Sequence, residues 1–158
     1  MKVICAGIDL AVRRSSALCI TRFPIVTYLG FVTDDELMNM IRFLEVQVVA
    51  IDAPLSMPRG PWRKVDAEAR RMGLKVLPPG WKGMRKLTEK GIRIKESLER
   101  YGIEVIETFP SAVKVPLVHT FPEQKDLLDS AKACSVACAY AKGLAKSVRA
   151  EDGEIYYI

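Results

Sequence analysis

The chain has 158 residues, of which 49% are hydrophobic and 27% are charged. This length and composition are typical of one folded domain with its own core, and they exclude an intrinsically disordered chain. No apolar run is long enough to span a membrane, and the N-terminal one is interrupted by Asp9 and followed by Arg13 and Arg14, unlike a signal peptide. We therefore expect a single domain over residues 1–158, located in the cytoplasm.

The net charge of +5 is unevenly distributed. Residues 56–95 contain twelve Lys and Arg against three acids, a net charge of +9, which leaves −4 for the rest of the chain. Both tryptophans, Trp62 and Trp81, lie in this basic segment. A cationic stretch with aromatic side chains suits a polyanion whose bases can stack. A solvated, lysine-rich surface above two core tryptophans would give the same pattern.

The first part of the chain predicts three strands, a helix and a fourth strand. The strands are the apolar or alternating runs at residues 2–11, 16–22, 25–32 and 46–53. The helix over residues 33–45 begins with a capping box formed by Thr33 and Glu36. The short connections between the first three strands predict an antiparallel meander.

The second part of the chain predicts helices on either side of a fifth strand. Pro and Gly punctuate the basic segment, in which we expect helices over residues 66–72 and 84–101, the second weakened by Gly91. The strand lies at residues 103–110, and the last helix begins near Glu123. That helix has a side of small residues that permits close approach to a sheet, and its polar stripe extends to Arg149. The tail after it is either a short strand or a packed end.

Strands that follow helical crossovers are expected to be parallel, whereas the first three should be antiparallel. The sequence therefore predicts a mixed α/β sheet with helices on both faces. The segment at about 56–95 would be a basic, Pro/Gly-rich helical insertion in that domain.

Three apolar strands each end in an acid, namely Asp9, Asp52 and Glu107. If these strands are parallel and adjacent, the acids gather at one edge of the sheet, where the sites of such folds form. Asp126 and Asp129 lie three residues apart at the start of the last helix. We expect Asp126 to point into the apolar side of that helix and Asp129 to lie at its edge.

Clustered carboxylates repel one another unless a cation lies among them. Oxygen ligands without His or Cys select a hard divalent ion, Mg²⁺ or Mn²⁺, and two such ions about 4 Å apart can promote phosphodiester hydrolysis. Each acid also has a structural explanation: a turn at Asp9, a cap before Pro54 at Asp52, an arginine partner for Glu107 and a helix-dipole acid at Asp126.

The four cysteines do not form a C-x-x-C pair, and no histidine lies near them in the sequence. They are Cys5, Cys19, Cys134 and Cys138. We interpret them as small buried hydrophobic residues of a protein in a reducing compartment.

Several motifs occur together in a fixed order. They are GIDLA, VAIDAPLS-x-P-x-G, LPPG, M-x-x-LT-x-x-G, VIETFPSA and D-x-x-D-x-x-x-A-C. Over nearly the whole chain this series resembles the predicted ribonuclease H-like nucleases of the domain-of-unknown-function 429 family. The resemblance implies a ribonuclease H-like fold, with a five-stranded mixed sheet of order 3-2-1-4-5 and an antiparallel second strand. It also implies a metal-dependent nuclease.

The resemblance assigns roles to the same acids. Asp9 and Asp52 would bridge or share metal ions, and either Asp126 or Asp129 would complete the site. Glu107 would match the family's own E-T-x-P acid, as a fourth ligand or by orienting water.

One feature departs from ribonucleases H proper, which have a glutamate on the first helix. The acids available there are poorly placed for that role; they are Asp34, Asp35, Glu36 and Glu45. Two acids three residues apart on the last helix resemble Holliday-junction resolvases more closely. His119 precedes that helix, either as a mobile active-site histidine or as an ordinary loop residue.

The leading interpretation is a metal-dependent phosphodiesterase that acts on nucleic acid. The basic segment would line the substrate groove, with phosphate contacts and base stacking from Arg59, Trp62, Arg63, Trp81, Lys82 and Arg85. The alternative is a nucleic-acid-binding protein with a degenerate, non-catalytic site, which would show salt-sensitive binding without metal-dependent turnover. A relation to two-domain sugar kinases is disfavoured because the chain has no glycine-rich phosphate loop. RNA or DNA as substrate, endo- or exonucleolytic cleavage, and a homodimer are left open.

Overall fold

The computed structural model describes residues 2–109, 111, 113–114 and 116–158. These residues form an α/β fold, in which a mixed sheet has helices on both faces. The strands are β1 (Ile4–Asp9), β2 (Ser16–Arg22), β3 (Ile25–Val32), β4 (Val48–Asp52), β5 (Glu104–Thr108), β6 (Lys146–Ala150) and β7 (Gly153–Tyr157). The helices are α1 (Asp34–Phe43), α2 (Lys64–Arg71), α3 (Lys82–Glu99) and α4 (Lys125–Ala141). The sheet order is β3-β2-β1-β4-β5-β7-β6.

The first five strands have the order and directions that were expected. β2 is antiparallel to β1 and β3, while β1, β4 and β5 are mutually parallel. This places the carboxyl ends of β1, β4 and β5 at one edge of the sheet. The capping box of Thr33 and Glu36 at the start of α1 is also confirmed.

Two expectations were wrong, and they share one cause. The described sheet has seven strands rather than five, and α4 ends at Ala141 instead of continuing to Arg149. Gly143, at a φ of 73°, lies in the left-handed region and ends the helix, as glycine commonly does. The chain then returns as the β6–β7 hairpin, which adds to the edge of β5 through Ile155.

The core has one layer on each face of the sheet. On one face, α1 and α3 cover the aliphatic side chains of the central strands. On the other face, α4 packs against β1, β2 and β4 with small residues, and all four cysteines are free and buried there. A third, smaller cluster joins α2 to the β6–β7 hairpin.

Gly7 explains how closely α4 approaches the sheet. A Cβ atom added at Gly7 would overlap the backbone of Ser130 and Cys134. The α4 backbone therefore lies directly on β1, two residues before Asp9. Since residues two apart on a strand face the same way, Gly7 and Asp9 both point towards α4.

Gly91 has a similar function in α3 and does not interrupt that helix. A Cβ atom there would lie 2.9 Å from the carbonyl oxygen of Pro54, so the glycine allows α3 to pack against the loop after β4. Both α2 and α3 begin two residues before their predicted starts. Among the described residues, no helix is both long and apolar enough to cross a membrane.

Candidate metal centre and adjoining cavity

Three carboxylates converge at the carboxyl ends of the central strands. Asp9 and Asp52 are register neighbours on parallel strands β1 and β4, so their side chains leave the sheet on the same face. Asp129, on the second turn of α4, reaches the same point because α4 lies directly on β1 at Gly7. One carboxylate oxygen from each aspartate lies within 4.8 Å of the other two.

This convergence disfavours full ionisation of the three acids. Burial, followed by the charge of Asp126 and its hydrogen bond, raises the pKa of Asp9 to about 7. Burial and the neighbouring charges of Asp9 and Asp129 raise the pKa of Asp52 well above its ordinary value. Burial also raises the pKa of Asp129, although Lys125 and Lys132 oppose the rise. A cation among the three oxygens would favour their ionised forms.

The two aspartates of α4 have environments opposite to those predicted. Asp129 is buried, whereas Asp126 is half-buried and accepts a hydrogen bond of 3.0 Å from Nη2 of Arg14. Asp126 lies in the first turn of α4, where its carboxylate reaches the exposed guanidinium of Arg14. It nevertheless remains close enough to raise the pKa of Asp9.

Glu107 lies at the same end of the sheet but on its other face. Its register partner on β4 is Ile51, whereas Thr108 is the partner of Asp52. Because side chains alternate along a strand, the Glu107 carboxylate points away from the three aspartates. Its Oε1 accepts a hydrogen bond from the backbone N–H of Leu55 at 2.9 Å. Glu107 is therefore not part of the aspartate cluster.

Arg63 forms the centre of a buried ion-pair network with Glu107. Its Nη1 and Nη2 donate to the two Glu107 oxygens at 2.7 and 2.6 Å. Nε and Nη2 donate to Asp66, and Nη1 also donates to Ser56. The five donors of the guanidinium all have partners, and only 1% of the side chain is exposed. Arg63 has no donor left for a substrate phosphate, so it attaches the basic segment to the sheet instead.

The other predicted substrate-binding residues lie on the outside of the basic segment. Trp62 is exposed as well, and the Arg70 guanidinium lies over its ring, with Cζ 4.5 Å from the centroid. The remaining four, which are exposed, are Arg59, Trp81, Lys82 and Arg85. Neither these residues nor the exposed His119 line the cavity described next.

A cavity of about 730 Å³ adjoins the aspartate cluster. It is lined by six acids, five cationic side chains and an apolar group. Besides the three clustered aspartates, the acids are Asp66, Glu107 and Asp126. The cations are Arg14, Arg63, Lys75, Lys125 and Lys132. The apolar side chains include Val76, Leu77, Met84, Leu87 and Phe109. These residues were not predicted, although Met84 and Leu87 are three apart on one helix and hence on one side of it.

Lys90, which no sequence motif marks as functional, lies beside the site. Its Nζ donates to the carbonyl oxygen of Ala11 at 2.6 Å and lies 2.8 Å from Oδ1 of Asp34. Ala11 follows Asp9 by two residues, and its N–H donates to the Ser16 hydroxyl. Lys90 therefore fixes the backbone that leaves the aspartate cluster.

A larger hollow, of about 1180 Å³, lies at the opposite edge of the sheet, between the end of α1 and residues 101–104. Its lining includes Arg42, Glu45 and Glu104 but no group of three metal-ligating side chains among the described residues. We therefore assign the candidate site to the smaller cavity.

Comparison of the chain with models of protein families, with curated proteins and with solved structures found no match.

Proposed function

We propose that the chain is a ribonuclease H-like, divalent-metal-dependent phosphodiesterase that hydrolyses RNA or DNA. The observation that carries this proposal is the approach of Asp9, Asp52 and Asp129 to within 4.8 Å of one another. The resemblance to the domain-of-unknown-function 429 family supports it. The β3-β2-β1-β4-β5 part of the sheet, with β2 antiparallel, is the arrangement that this resemblance implies.

The donor set fits a hard divalent cation. All three ligating groups are carboxylates, without His or Cys, which favours Mg²⁺ or Mn²⁺ over zinc. The pKa values of Asp9 and Asp52 are raised, as expected for clustered carboxylates that have no cation among them. When bound, such an ion would polarise a phosphodiester and activate a water molecule.

The protein's own residues hold and orient the reacting groups. Two strand ends and a closely packed helix fix the three carboxylates. Their side chains therefore need little rearrangement to bind a metal ion. Lys125 and Lys132 lie on the same helix as Asp129 and line the cavity, where they can attract a phosphate. Arg63 and Glu107 are positioning residues in this proposal, because they hold the basic segment beside the cluster.

Replacement of Asp52 by asparagine tests this proposal. Asp52→Asn keeps the size of the side chain but removes one ligand charge, so we expect it to abolish Mg²⁺-dependent cleavage of oligonucleotides. Asp35→Asn, an exposed acid of α1, makes the same chemical change away from the site and should retain activity. Circular dichroism would show whether both variants are folded. Full activity in Asp52→Asn would contradict the proposal.

The alternative is a binding protein with an inactive site, which the charge of the basic segment would also support. In the same assay, wild-type protein that binds oligonucleotides but yields no product with Mg²⁺ or Mn²⁺ would favour this alternative.

A further inference from the structure

We propose that the cavity beside the aspartate cluster receives one unpaired nucleotide, so that the substrate is a single-stranded polynucleotide rather than a duplex. This inference rests on the proposed function and names the substrate class for that site. It depends on the apolar and cationic side chains of the cavity wall rather than on the three clustered carboxylates.

The size and the apolar wall of the cavity suit a nucleobase. Its volume of about 730 Å³ falls within the range of about 300–1,000 Å³ typical of small-ligand pockets. Leu77 in the loop before α3, Met84 and Leu87 on α3, and Phe109 after β5 all contribute apolar surface to it. A phosphate group would gain nothing from this surface, whereas the face of an unstacked base would.

The charges of the cavity suit the phosphate of the same nucleotide. Three acids of the lining already have arginine partners, since Arg63 pairs with Asp66 and Glu107, and Arg14 pairs with Asp126. Lys75, Lys125 and Lys132 then lie beside the three clustered aspartates. Lys125 is exposed and lies 4.0 Å from Asp129, which leaves its ammonium group accessible to a second anion. A phosphodiester at the carboxylate end, with its base against the apolar wall, therefore matches both kinds of lining.

The wall is firmly attached to the rest of the domain. The basic segment is joined to β5 by the buried pairing of Arg63 with Glu107. The α3 helix is joined to the loops after β1 and β4 by Lys90 and by the close packing of Gly91. A paired base has both faces stacked and cannot enter such a walled cavity without leaving the duplex. Duplex recognition relies mainly on backbone and groove contacts, which need no apolar wall.

Binding measurements test this inference independently of hydrolysis. Fluorescence anisotropy would compare a labelled oligothymidylate, the same strand paired with its complement, and free thymidine monophosphate as competitor, with Ca²⁺ in place of Mg²⁺. We expect the single strand to bind at least about tenfold more tightly than the duplex at equal salt. The free nucleotide should compete weakly, because it lacks the phosphates of the neighbouring units.

Two exposed leucines provide a matched pair of variants. Leu77, which lines the cavity, is 60% exposed, and Leu144, which does not, is 63% exposed. Leu77→Ala should weaken single-strand binding at least about fourfold. This is the change in affinity expected when one methylene group loses its apolar contact with the ligand. Leu144→Ala should leave it unchanged.

The outcomes separate this inference from the proposed function. Equal affinity for the duplex, competition by free nucleotide at the affinity of the strand, no binding at all, or equal effects of the two leucine variants would each overturn the inference. Mg²⁺-dependent cleavage of a duplex could still be observed in those cases and would preserve the phosphodiesterase proposal. Selective single-strand binding without cleavage would support the inference and contradict the activity.

Discussion

Burial, and then the charge of neighbouring carboxylates, raises the pKa values of Asp9 and Asp52. Burial also raises the pKa of Asp129, against the opposing charges of Lys125 and Lys132. For Asp9 the folded-state pKa of about 7 lies well above the ordinary value of 3.8. The folded state therefore retains protons that the unfolded chain releases between these two values. It follows that the free energy of unfolding of the metal-free protein falls as the pH rises through this window.

We expect the melting temperature in the presence of a chelator to fall between about pH 4 and about pH 7, the interval between the unfolded and folded pKa values of Asp9. Asp52→Asn removes part of the repulsion, so its melting temperature should fall less over the same range. Each kcal/mol of stability corresponds to about 2–4 °C for a domain of this size. Calorimetry of both proteins would measure this difference, and parallel pH curves would contradict the assignment of coupled carboxylates.

The buried network around Arg63 gives a second prediction at the residue level. Arg63→Met would leave Glu107 and Asp66 buried without a counter-charge, and we expect a loss of about 3–5 kcal/mol in urea denaturation. Arg71→Met removes an exposed ion pair with Glu68 and should cost less than about 1 kcal/mol. Similar losses in the two variants would mean that Arg63 does not hold the basic segment in place.

Among the secondary-structure elements, α4 has the greatest influence on the site. Its backbone lies on β1 at Gly7, and this contact brings Asp129 to Asp9. The contact involves backbone atoms of Ser130 and Cys134, which cannot move aside as a flexible side chain could. The position of the third carboxylate therefore depends on the absence of a side chain at residue 7.

Gly7→Ala should destabilise the domain by about 3 kcal/mol or more, at the upper end of the effects of overpacking. Gly83→Ala, in open space at the start of α3, should be neutral or stabilising because alanine favours a helix. Urea denaturation would measure both variants. If Gly7→Ala proved as stable as wild type, α4 would not lie where the structure has it.

The strand directions could be predicted from the sequence because helical crossovers and short connections leave few alternatives. The face to which each acid points could not be read as directly. Glu107 and Asp52 both occur near the ends of apolar strands, but Glu107 pairs in register with Ile51, so it lies on the opposite face. A shift of one residue in register moves a side chain to the other face of the sheet. Strand ends are difficult to place from sequence to within one residue.

The cavity lining was missed for a different reason. Charge and aromaticity pointed to the tryptophans and arginines of the basic segment, but neither property shows which way a side chain points. The structure places Trp62 under Arg70 and buries Arg63 among carboxylates. The side chains that line the cavity include ordinary aliphatic ones such as Leu77 and Leu87, which sequence alone does not distinguish from core residues.

At the scale of the whole molecule, charge is segregated between the basic segment and the remainder of the chain. The cavity lies where the two meet, with acids from β1, β4 and α4 and with Lys75 from the basic segment. Long-range attraction of a polyanion and short-range binding of a cation can therefore occur at the same opening.

We expect the affinity for single strands to fall with increasing salt, with a slope of about −0.7 for each phosphate neutralised. Lys75→Ala should make this slope shallower by about 0.7, because Lys75 lines the cavity. Lys146→Ala, on the exposed start of β6, changes the net charge equally but should leave the slope unaltered. Equal slopes in the two variants would contradict a phosphate contact at Lys75.

A crystal soaked in Mn²⁺ tests most directly whether the three aspartates form a metal centre. We expect an anomalous difference peak between Asp9, Asp52 and Asp129, within about 2.0–2.6 Å of their oxygens, and no such peak in Asp52→Asn crystals. Absence of the peak from wild-type crystals at saturating Mn²⁺, with the three carboxylates still adjacent, would contradict the assignment of a metal centre.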